Sequence, residues 1–354
     1  MPTQSLAEQV KSELQSLQST VRDLQSSVRM TDIRDRVEDL GTSVNGMDRR
    51  IKSLREGGYV FERELEQMAT DFERAWKGIV PGLEAQIEQE ATGLERTLRP
   101  LDTQVIQLAG DNAAPAALRP RLDRLKSQVE SLEGRVEAAE KSITGRYDQF
   151  NSDVQKLKTH LTKLEWMLTE LSEASFELLA TESGIMAVKA VWAKNGKQTK
   201  EDPEGVLYLT DQRILFEQKE KVATKKVLFV ATEKKLVQAL LWETPIVLIE
   251  GVKPRNEGFL NKDDYIELHF GSGAPFDVIH LHIWQNGEEW KGLINRAKTK
   301  EFDKTRAIAI DKAAAKKVKD APTKCPSCGG AINQVVLRGM ENITCEFCGD
   351  VIRL

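Results

Sequence analysis

Cysteine is missing from the first 324 residues of this 354-residue chain; its four copies are Cys325, Cys328, Cys345 and Cys348. That confinement excludes a disulfide framework spread through the fold. Aromatic residues are scarce too, at 6 % against 30 % charged. A chain so composed is too poor in large apolar side chains for one extended core and suits long helices with smaller domains beside them. The opening MPTQSLAEQV is polar, without the basic-then-apolar run of a secretory leader. Nowhere do about 20 apolar residues run together, the length a bilayer span requires. Also absent are the phosphate loop G-x-x-x-x-G-K-[ST], the H-E-x-x-H helix and any nucleophile–base pairing. The expectation is a cytoplasmic protein with reduced thiols, peripheral to a membrane at most, and not an enzyme.

Charge is unevenly divided. Residues 1–182 hold 24 Lys and Arg against 32 Asp and Glu, a net of −8, whereas residues 183–354 hold 27 against 23, a net of +4. The acidic half is periodic. Apolar residues recur at steps of three and four through Leu14, Leu17, Val21, Leu24 and Val28, slip near Met30, and resume from Ile33 to Leu54. A second run extends from Phe61 to Leu108 and a third from Leu118 to Leu171, with a four-residue step from Ile143 to Tyr147 that breaks the heptad. Such seams predict helices over about 3–56, 59–109 and 116–180, with Pro81 and Pro100 expected to kink or break the second. Three runs of similar length joined by short connections suggest a rod over 3–180 that folds back on itself as a three-helix bundle. The Val/Leu alternation along the seam also suits a coiled coil between two chains, so homo-oligomerisation stays open.

Near residue 183 the period changes to two. GIMAVKAVW (184–192) and GVLYLTDQRILFEQKE (205–220) read as strands, the second as a hairpin turning at Asp211-Gln212. Further strands are expected at 225–231, 236–242, 246–253, 264–270 and 276–284, followed by an amphipathic helix carrying Trp290, Leu293 and Ile294. Short strands in succession with one closing helix predict a small, bent β-barrel or sandwich. GVLYLTDQRILFE, TPIVLIEGVK, YIELHFG and the Trp-bearing helix resemble the GRAM and bacterial pleckstrin-homology-like domains over residues 183–299. A long insertion between the hairpin and TPIVLIEGVK departs from that pattern. The resemblance implies a docking surface for proteins or membranes. Lys219, Lys221, Lys225 and Lys226 flank one turn, where a solvated lysine cluster is the reading preferred to a headgroup site, since no arginine joins them. Pairing YIELHFG with FDVIHLHI puts Glu267, His269, His280 and His282 on one wet face, where a metal site is the minority reading.

Residues 300–322 form a basic linker. From Lys291 to Lys324, eleven Lys and Arg face four Asp and Glu. A solvated tether is preferred there to a contact with nucleic acid or an anionic membrane. The cysteines follow as two C-x2-C pairs sixteen residues apart. Four thiolates close a tetrahedral shell and leave no site for water, which points to one structural Zn²⁺ per chain held by Cys325, Cys328, Cys345 and Cys348. A rubredoxin-type iron is the lesser alternative. CPSCGG and ITCEFCGDVI resemble the zinc-ribbon family over 323–354. About thirty residues cannot fold on their own apolar core, so the metal must supply the folding free energy.

The chain thus reads as multidomain α + β: a long helical coiled-coil or three-helix rod, a PH-like β-barrel with a C-terminal helix, and a small zinc ribbon. The expected role is a non-enzymatic adaptor or scaffold. Its partners are proteins first, an anionic membrane surface second and nucleic acid third, the last through the basic linker and ribbon.

Overall fold

The heptad runs of the first half become helices, and they stop where the backbone cannot continue. A computed structural model describes residues 5–227, 230–257 and 263–354, with the backbone alone described for 222–227 and 230–234. Among the described residues the first half forms five helices: α1 (Leu6–Ser27), α2 (Thr31–Glu56), α3 (Leu65–Ala109), α4 (Pro115–Thr144) and α5 (Asp148–Ser172). A capping box starts α1: the Ser5 side chain accepts from the Glu8 amide while the Glu8 carboxylate accepts from the Ser5 amide at 2.8 Å. The first expected helix is two helices, because Met30 takes a φ of +55°, a conformation that breaks helical continuity. The third is divided likewise, since the four-residue step after Ile143 falls in the gap between α4 and α5. Pro81 and Pro100 lie inside α3 without ending it. Each removes one backbone donor, while buried Leu83, Leu94, Leu98 and Leu101 anchor the helix around them.

The start of α3 at Leu65 rather than 59 has a side-chain cause. Tyr59 and Phe61 are buried in the connecting loop. The Arg55 guanidinium donates to the carbonyls of Tyr59, Phe61 and Glu62 at 2.5–2.9 Å and forks onto Glu66. It therefore satisfies carbonyl groups that a continued helix would have paired internally.

The chain divides into two units, residues 1–48 with 68–158 and residues 49–67 with 159–354. The first is helical and packs within one chain. Its seam buries Val21, Val28, Leu94, Val105, Leu122 and Val129. Ion pairs link its helices at the margins, Arg119 to Glu13 at 2.7 Å and Arg34 to Glu88 at 2.8 Å, and Trp76 stacks on Phe150. Among the described residues no helix is long and apolar enough to cross a membrane.

The second unit centres on an antiparallel sheet of β1 (Gly184–Trp192), β2 (Glu204–Thr210), β3 (Arg213–Val227), β4 (Val230–Pro245), β5 (Ile249–Glu257), β6 (Asp263–Phe270) and β7 (Val278–Ile283). Strand order is β4-β3-β2-β1-β7-β6-β5. With β4 and β5 at the two edges, the described strands form an open sheet, and the closed barrel expected from the sequence is not formed. The strands expected at 225–231 and 236–242 fall on one long β3–β4 hairpin, with 228 and 229 outside the described residues, which accounts for the apparent insertion. Both faces of β2 are covered, so Val206, Leu207, Tyr208 and Leu209 are all buried and the anticipated alternation disappears. Phe176, in the segment after α5, meets the Tyr208 ring edge-on. The closing helix α6 (Gly287–Lys298) starts at an Asn286 cap and turns Trp290 and Ile294 into the core. Two short helices, α7 (Glu301–Lys304) and α8 (Lys312–Lys319), precede the C-terminal hairpin of β8 (Asn342–Thr344) and β9 (Val351–Arg353).

Candidate metal centre and its mount

Two turns of the same construction carry the cysteines. In the first, the Cys325 amide donates to the Gly330 carbonyl at 2.8 Å and the Gly329 amide to the Cys325 carbonyl at 2.9 Å. In the second, Cys345 donates to Asp350 and Gly349 to Cys345, both at 2.9 Å. Gly329 and Gly349 take φ values of +72° and +74°, which a residue with a Cβ adopts only at a cost. Their amides close the turns, so the donors to sulfur come from neighbours: Gly330 to Cys328, Phe347 and Cys348 to Cys345, and Asp350 to Cys348.

The sequence-predicted ligands all converge. Their four Sγ atoms lie within 4.8 Å of one another, with Cys325–Cys348 and Cys328–Cys345 both at 3.7 Å. Ligands about 2.3 Å from a tetrahedral cation place sulfurs about 3.8 Å apart, so this donor set fits a four-coordinate ion. Amides from Cys348 and Phe347 lower the Cys345 thiol to about 7. At Cys348 the Asp350 amide works downward, but the neighbouring thiol of Cys328 and burial push the group up to about 12. Thiols so crowded cannot all ionise without a cation among them. The apolar support is small: Cys325, Ile343, Cys345 and Ile352 are buried, with Ile332, Val336, Met340 and Leu354 against them.

This module is mounted on the sheet, and the mount was not foreseen. The β2–β3 turn at Asp211-Gln212 grips it. The Gln212 side chain accepts from the Arg338 amide at 2.5 Å and donates to the Arg338 carbonyl at 2.9 Å, much as a neighbouring strand would. Asp211 receives the Arg338 and Arg306 guanidiniums on one oxygen and the Ser183 amide on the other. Burial pushes the Asp211 carboxyl up, against the opposing pull of Arg338, the Ser183 amide and Arg306. Next to Arg338, Gly339 has a φ of +85°, and a Cβ there would stand 2.7 Å from the Ala180 amide nitrogen.

Two further polar nodes fix the segment between α5 and β1. Glu182 and Arg213 form a buried pair at 2.5 Å, with 0 % and 8 % of their side chains exposed. Arg213 also reaches Glu243 and the Glu177 carbonyl, and Thr210 donates to Glu182 at 2.6 Å. Glu217, fully buried, accepts from the Ser175 amide, the Tyr208 hydroxyl and the Gln238 amide group at 2.6–3.1 Å. Burial and the Glu217 charge push the Tyr208 hydroxyl far up, which keeps it a donor. Arg213 and Glu217 bracket the buried apolar run Ile214–Phe216 of β3, and charges at both ends of that run were the available signal.

The other candidates separate. The β6–β7 register pairs Glu267 with His280 and Tyr265 with His282, so the anticipated wet face exists. Glu267 pairs with His269 and stands 3.5 Å from His280 Nδ1, but His282 is the one that departs, turned to Gln198 at 2.5 Å and stacked between Tyr265 and Trp284. Among the described residues the four cysteines are the cluster with metal-ligand spacing. Lys219 is tied to Glu170 and Glu173 at 2.8 Å and Lys221 is exposed. The side chains of Lys225 and Lys226 lie outside the described residues.

Neither a family model nor a curated protein matches the chain. Solved structures that align with it include the DH/PH domains of p115-RhoGEF, at 14 % identity over 73 % of this chain and 67 % of that chain with a TM-score of 0.22. Human RhoA in complex with the DH/PH fragment of PDZRHOGEF gives 13 % identity over 83 % and 93 % with a TM-score of 0.23. Superpositions this loose carry no argument about fold or role.

Proposed function

We propose that the protein is a non-enzymatic adaptor of the cytoplasm. In this reading its helical unit is a spacer and assembly surface, its sheet domain is a PH-like docking module, and its terminal module is a zinc ribbon with one structural Zn²⁺. The observation that carries the reading is the grip of Asp211 and Gln212 on Arg338. It joins the ribbon to the sheet domain, so a partner meets both as one continuous surface. Strand order and the closing helix are what a PH-like module requires, which supports that assignment without naming a ligand. When bound, zinc would supply coordination alone, since all four positions of the shell are sulfur. Cys325, Cys328, Cys345 and Cys348 hold it, and the surrounding amides orient the thiolates.

The competing nucleic-acid reading loses strength on the same observation. Of the ribbon's two arginines, Arg338 is committed to Asp211, leaving Arg353 for phosphate. Metal analysis of the purified chain should give one zinc per chain, abolished by Cys325→Ser. A parallel screen for nucleotide and ester hydrolysis should find no turnover. Robust turnover that a single substitution removes ends the adaptor reading.

A further inference from the structure

We propose that the segment from Lys298 to Lys319, with the exposed connection between β4 and β5 beside it, is a docking face for an anionic membrane surface. The inference rests on the adaptor reading and deepens it by naming the partner.

Basic residues crowd this segment, but they are not equivalent. Its arginine is engaged: Arg306 binds Asp211 and Asp303. The acids are engaged as well. Glu301 pairs with Arg296 just upstream, Asp303 with Arg306, and Asp311 caps α8 by accepting from the Ala313 amide at 2.8 Å. Lys300, Lys304, Lys312, Lys316, Lys317 and Lys319 form no ion pair among the described residues and are exposed. The structure has neutralised the acids of the segment and left its lysines to solvent.

Apolar surface accompanies that charge. A groove of about 300 Å³ is lined in part by Lys298, Lys300, Val247, Ile310, Ala315 and Val318. Val247 is 55 % exposed, and Ile308, two residues before Ile310, is 50 % exposed. At about 100° per residue, Lys312, Lys316 and Lys319 share one face of α8, with Ala315 beside it and Val318 about a third of a turn away. A lysine stripe flanking an aliphatic edge lets the ammonium groups stay at headgroup level while their stems and the neighbouring aliphatics meet acyl chains.

The residue types decide between the two polyanions that could neutralise this face. Nucleic-acid recognition draws on free arginine forks for base edges and on exposed aromatics for stacking. Here the arginine is occupied, Phe302 is buried, and the exposed apolar residues are aliphatic. Hydrated point charges on flexible stems suit a diffuse layer of lipid phosphates.

The test is co-sedimentation of the full chain with phosphatidylcholine vesicles, with or without about 30 % phosphatidylserine, at low and high salt. The chain should pellet with the anionic vesicles and remain in solution with the neutral ones. Replacing Lys312, Lys316 and Lys319 together by Gln should weaken binding roughly 100-fold, while the triple Arg variant keeps it. Val247→Ser with Ile308→Ser should cost several-fold, a loss that persists at high salt. The proposal is overturned if the triple Gln variant pellets like the wild type. It is also overturned if anionic vesicles leave the chain in solution, or if a short DNA duplex binds more tightly than the vesicles. Zinc content and turnover are separate measurements, so failure here leaves the adaptor reading standing and failure there leaves this face to be judged alone.

Discussion

The two units of this chain are held together in different ways. The helical unit repeats one kind of contact: Leu, Val and Ile at three-four spacing, each nearly fully buried along one seam. Its ion pairs are marginal, such as Arg34–Glu88 with side chains 44 % and 71 % exposed, and exposed pairs contribute little. The sheet unit depends on a few non-repeating polar nodes, namely Glu182–Arg213, Glu217, Asp211–Gln212 and the four thiols. Repeated contacts share the load, so the loss of one is partial. A buried node has no substitute, and breaking it strands its partners in a medium that does not solvate them.

Substitutions can sharpen that contrast. The largest effect belongs to the cysteines. Cys325→Ser should abolish metal retention and unfold residues 323–354, removing on the order of 10 kcal/mol of metal-derived folding free energy. Loss of amide protection confined to β8, β9 and the two turns, matched by a strong chelator acting on the wild type, is the expected result. Retained protection would mean that the small apolar core suffices.

Glu182→Ala comes next. It leaves Arg213 buried with its charge only partly met by Glu243, and should destabilise the sheet domain by about 3–5 kcal/mol in urea titrations followed by tryptophan fluorescence. The comparison within the helical unit is Leu94→Ala, one buried seam position, with an expected cost of about 2–4 kcal/mol in helix unfolding followed by circular dichroism. If the seam substitution proves the more damaging, the contrast between the units is wrong. Gln212→Ala removes both hydrogen bonds to the Arg338 backbone and should cost about 1–2 kcal/mol. Hydrogen exchange at residues 335–340 should rise well before any change in the sheet strands.

How much of this the sequence disclosed follows the same division. Periodicity is a local, redundant code, so the seam residues, the slip at Met30 and the step after Ile143 could all be read, as could the ends of β1. The cysteine spacing was equally plain, because ligand chemistry restricts it. What stayed hidden depends on residues far apart in the chain. Asp211-Gln212 was recognisable as a turn, but nothing local says that it holds Arg338, more than a hundred residues away. Phe61 counted as a seam residue, yet it packs edge-on against Phe302, and Arg55 diverts the backbone before α3 can begin. The long β3–β4 hairpin looked like separate strands because its lysines interrupt the apolar pattern without interrupting the ladder.

The smallest predicted effect concerns Glu62, which ties the loop after α2 to α5. Its carboxylate meets His160 Nε2 at 2.6 Å, and its own φ is +55°. Burial pushes the Glu62 carboxyl up, but the hydrogen bond and charge of His160, with help from Tyr59 and Arg296, outweigh it and hold the group below its ordinary value of 4.5. A carboxyl lowered by folding binds its proton more readily in the unfolded chain, so acid favours unfolding. The contribution is therefore complete above about pH 4.5 and is lost as pH falls through the lower folded value. Glu62→Gln should reduce stability at neutral pH by on the order of 1 kcal/mol and flatten the acid limb of the sheet unit's stability profile. The helical unit, whose seam is apolar, offers the internal control: Leu94→Ala should shift its profile down without changing the slope near pH 4. An unchanged acid limb in Glu62→Gln would assign that limb to other carboxylates and leave the His160 contact a matter of loop geometry alone.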